Sequence, residues 1–406
     1  MSLAIQDAVL FGVTESSATL CFRVEDGGGA VEAPVEVRLD GVVRARSEGE
    51  AATRVVRIEG LDPGRRYALA LQAEGCAAVP PDRYLPADFE TLPAPEGSPV
   101  AELATLNDLH FGEERVGGTL LEDGDYGPVA PGFPAVLAEE TEVPYWRFMN
   151  EDAVREINAA GVDATIVKGD IADRGRPEQF GAAADCFAKL EKPFHAFLGN
   201  HDYYGRKEGL DVDGYALLGQ PPAPRAVDLG GWRLLLLDTV VPGEHHGELS
   251  AHRLDWLETA LGETRAEGIP TLVLTHHQPV PPRYRDRYPN TIGIDPGDSL
   301  RFFACIARHP QVRGVLIGHT HRNRVRRNVG SGVVPYVEVN CTKDYPGGWA
   351  HYRLYDDGSF RQEVRRTASA RALEHSERCR HLFRGFYRDF ALGSLEERSF
   401  AAGGMR

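Results

Sequence analysis

A chain of 406 residues, 42% hydrophobic and 26% charged, has the make-up of a globular protein with room for two or three domains. Its formal net charge of -15 repels nucleic-acid phosphates, so no nucleic-acid partner is expected, whereas a small anion held by metal ions is compatible with it. The six cysteines, none in a C-x-x-C pair, exclude a disulfide framework and a zinc–cysteine site. No signal segment is visible, and no window approaches the ~18 apolar residues of a membrane span, so a cytoplasmic protein without a membrane partner is expected.

Residues 1–95 read as all-β. The runs 18–24, 35–39, 42–47, 53–60 and 67–74 are short, alternating and β-branched, with Gly, Pro and Asp between them, which predicts a sandwich. Within it GLDPGRRYALAL, with Leu61, Pro63 and Tyr67, resembles a fibronectin type III domain, where a leucine packs under a turn and a tyrosine hydroxyl ties a strand corner. TLPAPEGSP at 91–99 reads as a linker. Apolar strands then alternate with helices. Strands are predicted at 100–108, 163–170, 193–200, 232–239, 270–276 and 312–319, and helices at 150–161, 177–190, 250–268 and 298–310. Continuous apolar strands are buried on both faces, so 96–365 is expected to be a layered α/β domain. Two Pro-rich stretches break the rhythm, 112–145 and 278–297. The first is expected to form part of a substrate wall, with Tyr284 and Tyr288 of the second. Residues 366–406 read as one or two amphipathic helices and a fading end. Their apolar stripe (Leu373, Leu382, Phe383, Phe386, Tyr387, Phe390) is expected to dock on the same chain.

What ends the apolar strands carries the chemistry. In order these are Asn107-Asp108-Leu109-His110, Gly169-Asp170, Gly199-Asn200-His201-Asp202, Thr275-His276-His277 and Gly318-His319-Thr320-His321. Ligands bind at the carboxyl ends of strands in α/β sheets, so these groups are expected together on one edge of one sheet. Carboxylates, an amide oxygen and imidazoles suit borderline divalent metals such as Mn, Fe, Zn, Co or Ni. If one carboxylate bridges, seven residues serve two ions and leave positions open for water and substrate. Each motif alone is weak; the ordered series at successive strand ends is not.

The motifs NDLH, GDIAD, GNHD, THH and GHTH resemble those of the calcineurin-like metallophosphoesterases over about residues 100–365. That resemblance implies a four-layer α-β-β-α sandwich with a two-metal site, which hydrolyses phosphate esters by in-line attack of a metal-bound hydroxide. It implies that Asp108, His110, Asp170 and His321 hold the first ion, with Asp170 bridging, and that Asn200, His276 and His319 hold the second. His276 stands first after its strand, which favours it over His277. His201 is then placed to protonate the leaving group. Asp202 is expected to orient His201 or to cap a helix. Arg174 and His277 are candidates for substrate contact. Purple acid phosphatases also carry a fibronectin-like domain ahead of the catalytic one, but they place a tyrosine where this chain has Asp173. The motif forms lean instead to phosphodiesterases of small molecules, cyclic nucleotides or glycerophosphodiesters among them. A phosphomonoesterase and a non-catalytic metal-binding scaffold are the alternatives; the oligomeric state is left open.

Overall fold

The computed structural model describes residues 3–26, 33–48, 51–74, 76, 79–119, 127–327 and 333–403. Its first seven strands are β1 (Ala4–Val13), β2 (Ser17–Glu25), β3 (Val35–Leu39), β4 (Val42–Ser47), β5 (Thr53–Glu59), β6 (Arg66–Ala73) and β7 (Asp88–Glu90). They form a three-stranded sheet, β1-β2-β5, and a four-stranded one, β4-β3-β6-β7. Alternation does the folding: Val35, Val37 and Leu39 of β3 turn inward and meet Leu20 and Phe22 of β2 in one cluster. The Tyr67 hydroxyl accepts a hydrogen bond from Asp62 N at 2.9 Å. Strand β1 was not anticipated, because its last six residues are all buried and show no alternation. Leu10 and Val13 face the N-terminal core, while Val9 and Phe11 join the core of the next domain.

The central domain is mixed α/β and is built on two six-stranded sheets. One runs β12 (Phe194–Phe197), β11 (Ala164–Lys168), β8 (Pro99–Leu106), β19 (Gly348–Tyr355), β20 (Phe360–Arg366) and β21 (Ser399–Ala402). The other runs β13 (Arg225–Leu229), β14 (Trp232–Leu237), β15 (Thr271–Thr275), β16 (Val312–Ile317), β18 (Tyr336–Glu338) and β17 (Arg324–Arg326). Strands β8, β11 and β12 are parallel, as are β14, β15, β16 and β18. The sheets face each other through Leu103, Ile166 and Tyr352 on one side and Leu234, Leu272 and Leu316 on the other. The intervening residues point outward. Leu106 and Val167 pack against α1 (Tyr145–Ala160) and α2 (Pro177–Phe187). Leu235, Val273 and Val315 pack against α4 (Ala251–Glu267) and α5 (Pro296–Arg308). Burial on both faces is why these strands read as unbroken apolar runs. Helices α4 and α5 begin where their caps dictate: Ser250 accepts from Arg253 N, and Asp295 from Gly297 N and Asp298 N.

Three smaller elements, α3 (Gly214–Leu217) and the hairpin of β9 (Arg115–Gly117) and β10 (Ala135–Leu137), lie in the connections. The described residues of the tail, 367–403, whose end was expected to fade after its helices, form α6 (Ala370–Arg380), α7 (Phe386–Ala391) and α8 (Leu395–Arg398) and then β21, which pairs with β20; residues 404–406 lie outside the described residues. Leu382, Tyr387, Leu392 and Phe400 join the central core. Arg398 donates to Phe11 O (2.8 Å) and Leu10 O (2.9 Å), so the tail bridges the N-terminal sheets and the central domain. No helix of the described residues is long and apolar enough to cross a membrane.

Candidate active site

The polar strand ends come together, but not on one sheet as expected. Asp108, His110, Asp170 and Asn200 follow β8, β11 and β12 of the first sheet, whereas His276, His319 and His321 follow β15 and β16 of the second. The site therefore lies where the carboxyl edges of two facing sheets meet. The backbone there is strained. Asp108 (φ 54°), His110 (44°), Asp170 (50°), His319 (67°) and His321 (52°) all occupy the left-handed region, at roughly 1–2 kcal/mol each. Side chains at Gly199 are forbidden as well, since a Cβ there would collide with Asp170 Oδ1.

Each ring's outer hydrogen bond fixes which nitrogen faces the centre. His276 donates Nδ1–H to Lys168 O at 2.8 Å. Its Nε2 then faces Asn200 Oδ1 at 3.0 Å and Asp170 Oδ2 at 3.2 Å. Asn200 presents its oxygen because its Nδ2 donates to Tyr204 OH at 2.7 Å. His319 donates Nε2–H to Ile292 O at 2.9 Å, which leaves Nδ1 as its lone-pair atom. A second group assembles beside the first. The Nδ1 atoms of His110 and His321 lie 3.3 Å from Asp173 Oδ1 and 3.2 Å from Asp344 Oδ2, so their Nε2 atoms meet 3.3 Å apart. Asp108 Oδ1 is 3.5 Å from His321 Nε2, and Asp170 Oδ2 is 3.9 Å from His110 Nε2. Asp170 Oδ2 faces an imidazole nitrogen of each group, His276 Nε2 and His110 Nε2, and Asp108 also accepts from His319 N at 3.0 Å.

Acceptor atoms converging at these distances repel unless a proton or a cation lies among them. In the bare chain protons do this. Burial opposes charge on His276, but Asp170 and Asp108 outweigh it and raise its pKa. Burial also opposes charge on His321, yet Cys341, Asp108 and Asp344 hold it well above the ordinary value. Burial would raise Asp108, but His321 and His276 pull it down to about 2. Two divalent ions fit the same donors, replacing these protons and taking the mixed nitrogen and oxygen set such ions prefer.

The other expected residues divide. His201 lines the cavity; its N donates to Asp170 Oδ1 at 2.9 Å and its Nδ1–H to Asp173 O at 2.9 Å. Arg174 also lines it, with Nε 3.5 Å from Asp173 Oδ2. Asp202 does not orient His201. Buried, it accepts from Ala172 N (2.7 Å) and Gly199 N (2.8 Å), and so staples two strand-end loops together. Nor does His277 touch the cavity: it is fully buried, bonded through Nδ1 to Thr239 Oγ1 at 2.9 Å. Tyr288 lines the cavity and Tyr284 does not. From the 112–145 stretch only its first residues reach the lining, Glu113, Glu114 and Arg115 among them; residues 120–126 lie outside the described residues.

Sequence reasoning missed the supports. Tyr204, one turn after Asn200, carried a findable signal in its spacing. Asp344 carried none. It sits in a buried chain in which Tyr387 OH donates to Asp344 Oδ2 (2.9 Å), and Lys343 Nζ bridges Asp344 Oδ1 (2.7 Å) and Glu113 Oε2 (2.6 Å). The whole borders a cavity of about 560 Å³, a size suited to a small organic ligand.

The description "calcineurin-like phosphoesterase" belongs to the family model that matches residues 103–323, more than half of the chain. The chain is 31% identical over 215 residues to a probable cyclic nucleotide phosphodiesterase of Synechococcus sp., covering 50% of this chain and 76% of that one. It is 29% identical over 218 residues to a 3′,5′-cyclic adenosine monophosphate phosphodiesterase of Pseudomonas aeruginosa, covering 50% and 75%. A solved dimetal phosphatase from Danio rerio is similar at a TM-score of 0.48 and 16% identity, covering 67% of this chain and 98% of that one.

Proposed function

The chain belongs to the calcineurin-like phosphoesterase family, and we propose that it is a metal-dependent phosphodiesterase that cleaves small cyclic-nucleotide-type diesters at the meeting of its two sheets. The observation that carries this is the convergence of acceptor atoms around Asp170, with His201 beside them on the wall of one cavity. Asp108, His110, Asp170 and His321 would hold one divalent ion, and Asn200, His276, His319 and the shared Asp170 the other; Mn, Fe, Zn, Co and Ni all suit the set. Such ions supply charge neutralisation of the phosphoryl group and acidify water.

The chain's own residues do the rest. Arg174, at the cavity rim, pairs with a phosphate oxygen. His201, tied through Nδ1 to Asp173 O, holds the proton for the leaving oxygen at Nε2. Asp173 flanks that ring, with Oδ1 3.7 Å from His201 Nδ1; burial opposes charge on its carboxylate, but His110 and His201 hold it well below the usual carboxylate range. Tyr204 and Asp202 fix Asn200 and its loop. We read the central domain (96–365) as the four-layer metallophosphoesterase sandwich, the N-terminal sheets (1–95) as a fibronectin type III-like module, and 366–406 as an extension. The six free thiols suit a reducing compartment such as the cytoplasm, and the net charge of -15 disfavours a nucleic-acid substrate.

The test is hydrolysis of bis-p-nitrophenyl phosphate, p-nitrophenyl phosphate and a 3′,5′-cyclic nucleotide by Mn-reloaded protein. The diesters are expected to turn over faster. His201→Ala should keep its metal and lose about 10²-fold or more on the cyclic nucleotide, whose alkoxide needs a proton, and less on the nitrophenyl esters, whose leaving group does not. Faster turnover of the monoester would make the protein a phosphomonoesterase; no turnover with metal bound would make it a scaffold.

A further inference from the structure

One wall of the cavity has no part in the chemistry above. Phe386 of α7 is 64% exposed and Tyr288 46%, yet both line the cavity, with Phe383, Tyr387 and Phe390. Three of these rings, Tyr288, Tyr387 and Phe390, lie nearly parallel; Phe386 is tilted 37° to Phe390, and Phe383 stands edge-on to Tyr387 at 73°. Tyr288 and Phe390 have centroids 6.3 Å apart and planes 26° apart; for Tyr387 and Phe390 the values are 6.4 Å and 17°.

The wall is held in place. Phe383 (φ 52°) and Arg384 (φ 60°) are two consecutive non-glycine residues in the left-handed region, which L-residues seldom adopt and which surrounding packing must enforce. The Arg384 guanidinium lies 4.8 Å over Phe133, that of Arg388 4.9 Å over Tyr84, and Arg83 pairs with Asp389 at 2.6 Å. The N-terminal module thus braces α7 from outside, while on the inside Tyr387 reaches Asp344 behind His321.

We propose that this wall is a base subsite: the flat ring of a nucleoside phosphate stacks on Phe386, Phe390 and Tyr288 while its phosphate lies at the strand ends. Stacking on such a platform is tolerant of base identity, since every base has a π-face. An aliphatic tail would want an apolar lining throughout, but the cavity also carries Arg115, Arg176 and Gln179, groups that suit sugar hydroxyls. The phosphate end of the proposal rests on the phosphodiesterase reading; the base contact stands by itself.

Calorimetric titration of the full-length, Mn-loaded protein with AMP and with ribose 5-phosphate isolates the base. AMP is expected to bind about 10-fold or more tightly. Phe386→Leu and Tyr288→Leu, on separate elements and both at exposed positions, are each expected to cut that preference by about 5-fold. Equal affinity for the two ligands, or a preference unchanged in both variants, overturns the subsite. Parallel hydrolysis of bis-p-nitrophenyl phosphate separates the two claims. Base preference without turnover keeps the subsite and sinks the phosphodiesterase reading; turnover without base preference does the reverse.

Discussion

The two sides of the cavity are built on opposite principles. The rim of strand ends is buried, polar and strained: seven donors from five loops, set on parallel strands that are buried at the ends next to the site. The facing wall is aromatic and half-exposed, and it is assembled from α7 and the 278–297 loop, neither of which belongs to a sheet. Of the nine non-glycine residues with positive φ among the described residues, five sit on the rim and two, Phe383 and Arg384, turn the chain into the wall. Strain is thus concentrated where the chain meets ligand, but for different ends. On the rim it aims lone pairs at a common point; in the tail it aims ring faces. Chemistry is anchored to the sheets, and selectivity is left to parts that can vary without disturbing them.

The largest effect should come from the rim. Asn200→Ala removes one donor and the Tyr204 tether, and kcat/KM on bis-p-nitrophenyl phosphate is expected to fall by about 10³-fold, or ~4 kcal/mol, with loss of about one metal per chain in elemental analysis. Full metal content in that variant would break the assignment of Asn200 to the rim.

The joint between the two sides comes next. Glu338 is buried against Arg322 (2.8 Å) and Arg326 (3.2 Å), and Arg322 lies over the Phe390 ring at 5.3 Å. Glu338→Gln leaves buried guanidinium charge uncompensated and should cost about 3–5 kcal/mol in urea unfolding. Burial would raise the Glu338 pKa, but Arg322 and Arg326 bring it down from 4.5 to about 2. The folded value lies below the unfolded one, so this contribution is complete above pH 4.5 and drains away as pH falls toward 2. The wild type should lose it over that window and the Gln variant should not.

Tyr387→Phe is a smaller change that leaves the wall's ring in place and deletes the hydrogen bond to Asp344. Metal affinity is expected to fall about 10-fold, because Asp344 orients His321, while AMP preference over ribose 5-phosphate stays. A change in that preference instead would show that the hydroxyl serves the wall, not the rim.

The smallest effect is a control in the N-terminal sheets. Tyr67→Phe loses the bond from Asp62 N and should lower stability by about 1 kcal/mol with kcat unchanged. A drop in kcat would mean that the module acts on the rim as well as bracing the wall.

How far each side could be read from the chain follows from the same contrast. A donor at a strand end is encoded locally, by an apolar run and a ligand-type residue, with a glycine just before Asp170, Asn200 and His319, so Asp108, Asp170, Asn200, His276 and His319 stood out before any contact was known. The inner and outer faces of β14 were equally legible, since four consecutive leucines demand burial on both sides. Strands β19 and β20 were not. They carry His351, Arg353, Arg361 and Glu363 among apolar residues, because their ends pair with the N-terminal module through Arg361–Glu15 and Arg57–Glu363.

The sequence by itself determined the family, the order of the donors and the kind of ion they suit, because each of these depends on residues a few positions apart. Tertiary structure alone decided that the donors come from two sheets, that Asp202 ties two loops together and His277 is buried away from the cavity, and that four rings of the tail's apolar stripe line the cavity while Leu382 joins the core. Those outcomes turn on contacts between segments far apart in sequence, such as Tyr387 with Asp344 and Tyr84 with Asp389. No local pattern of side chains specifies such contacts; only the packing of the whole chain does.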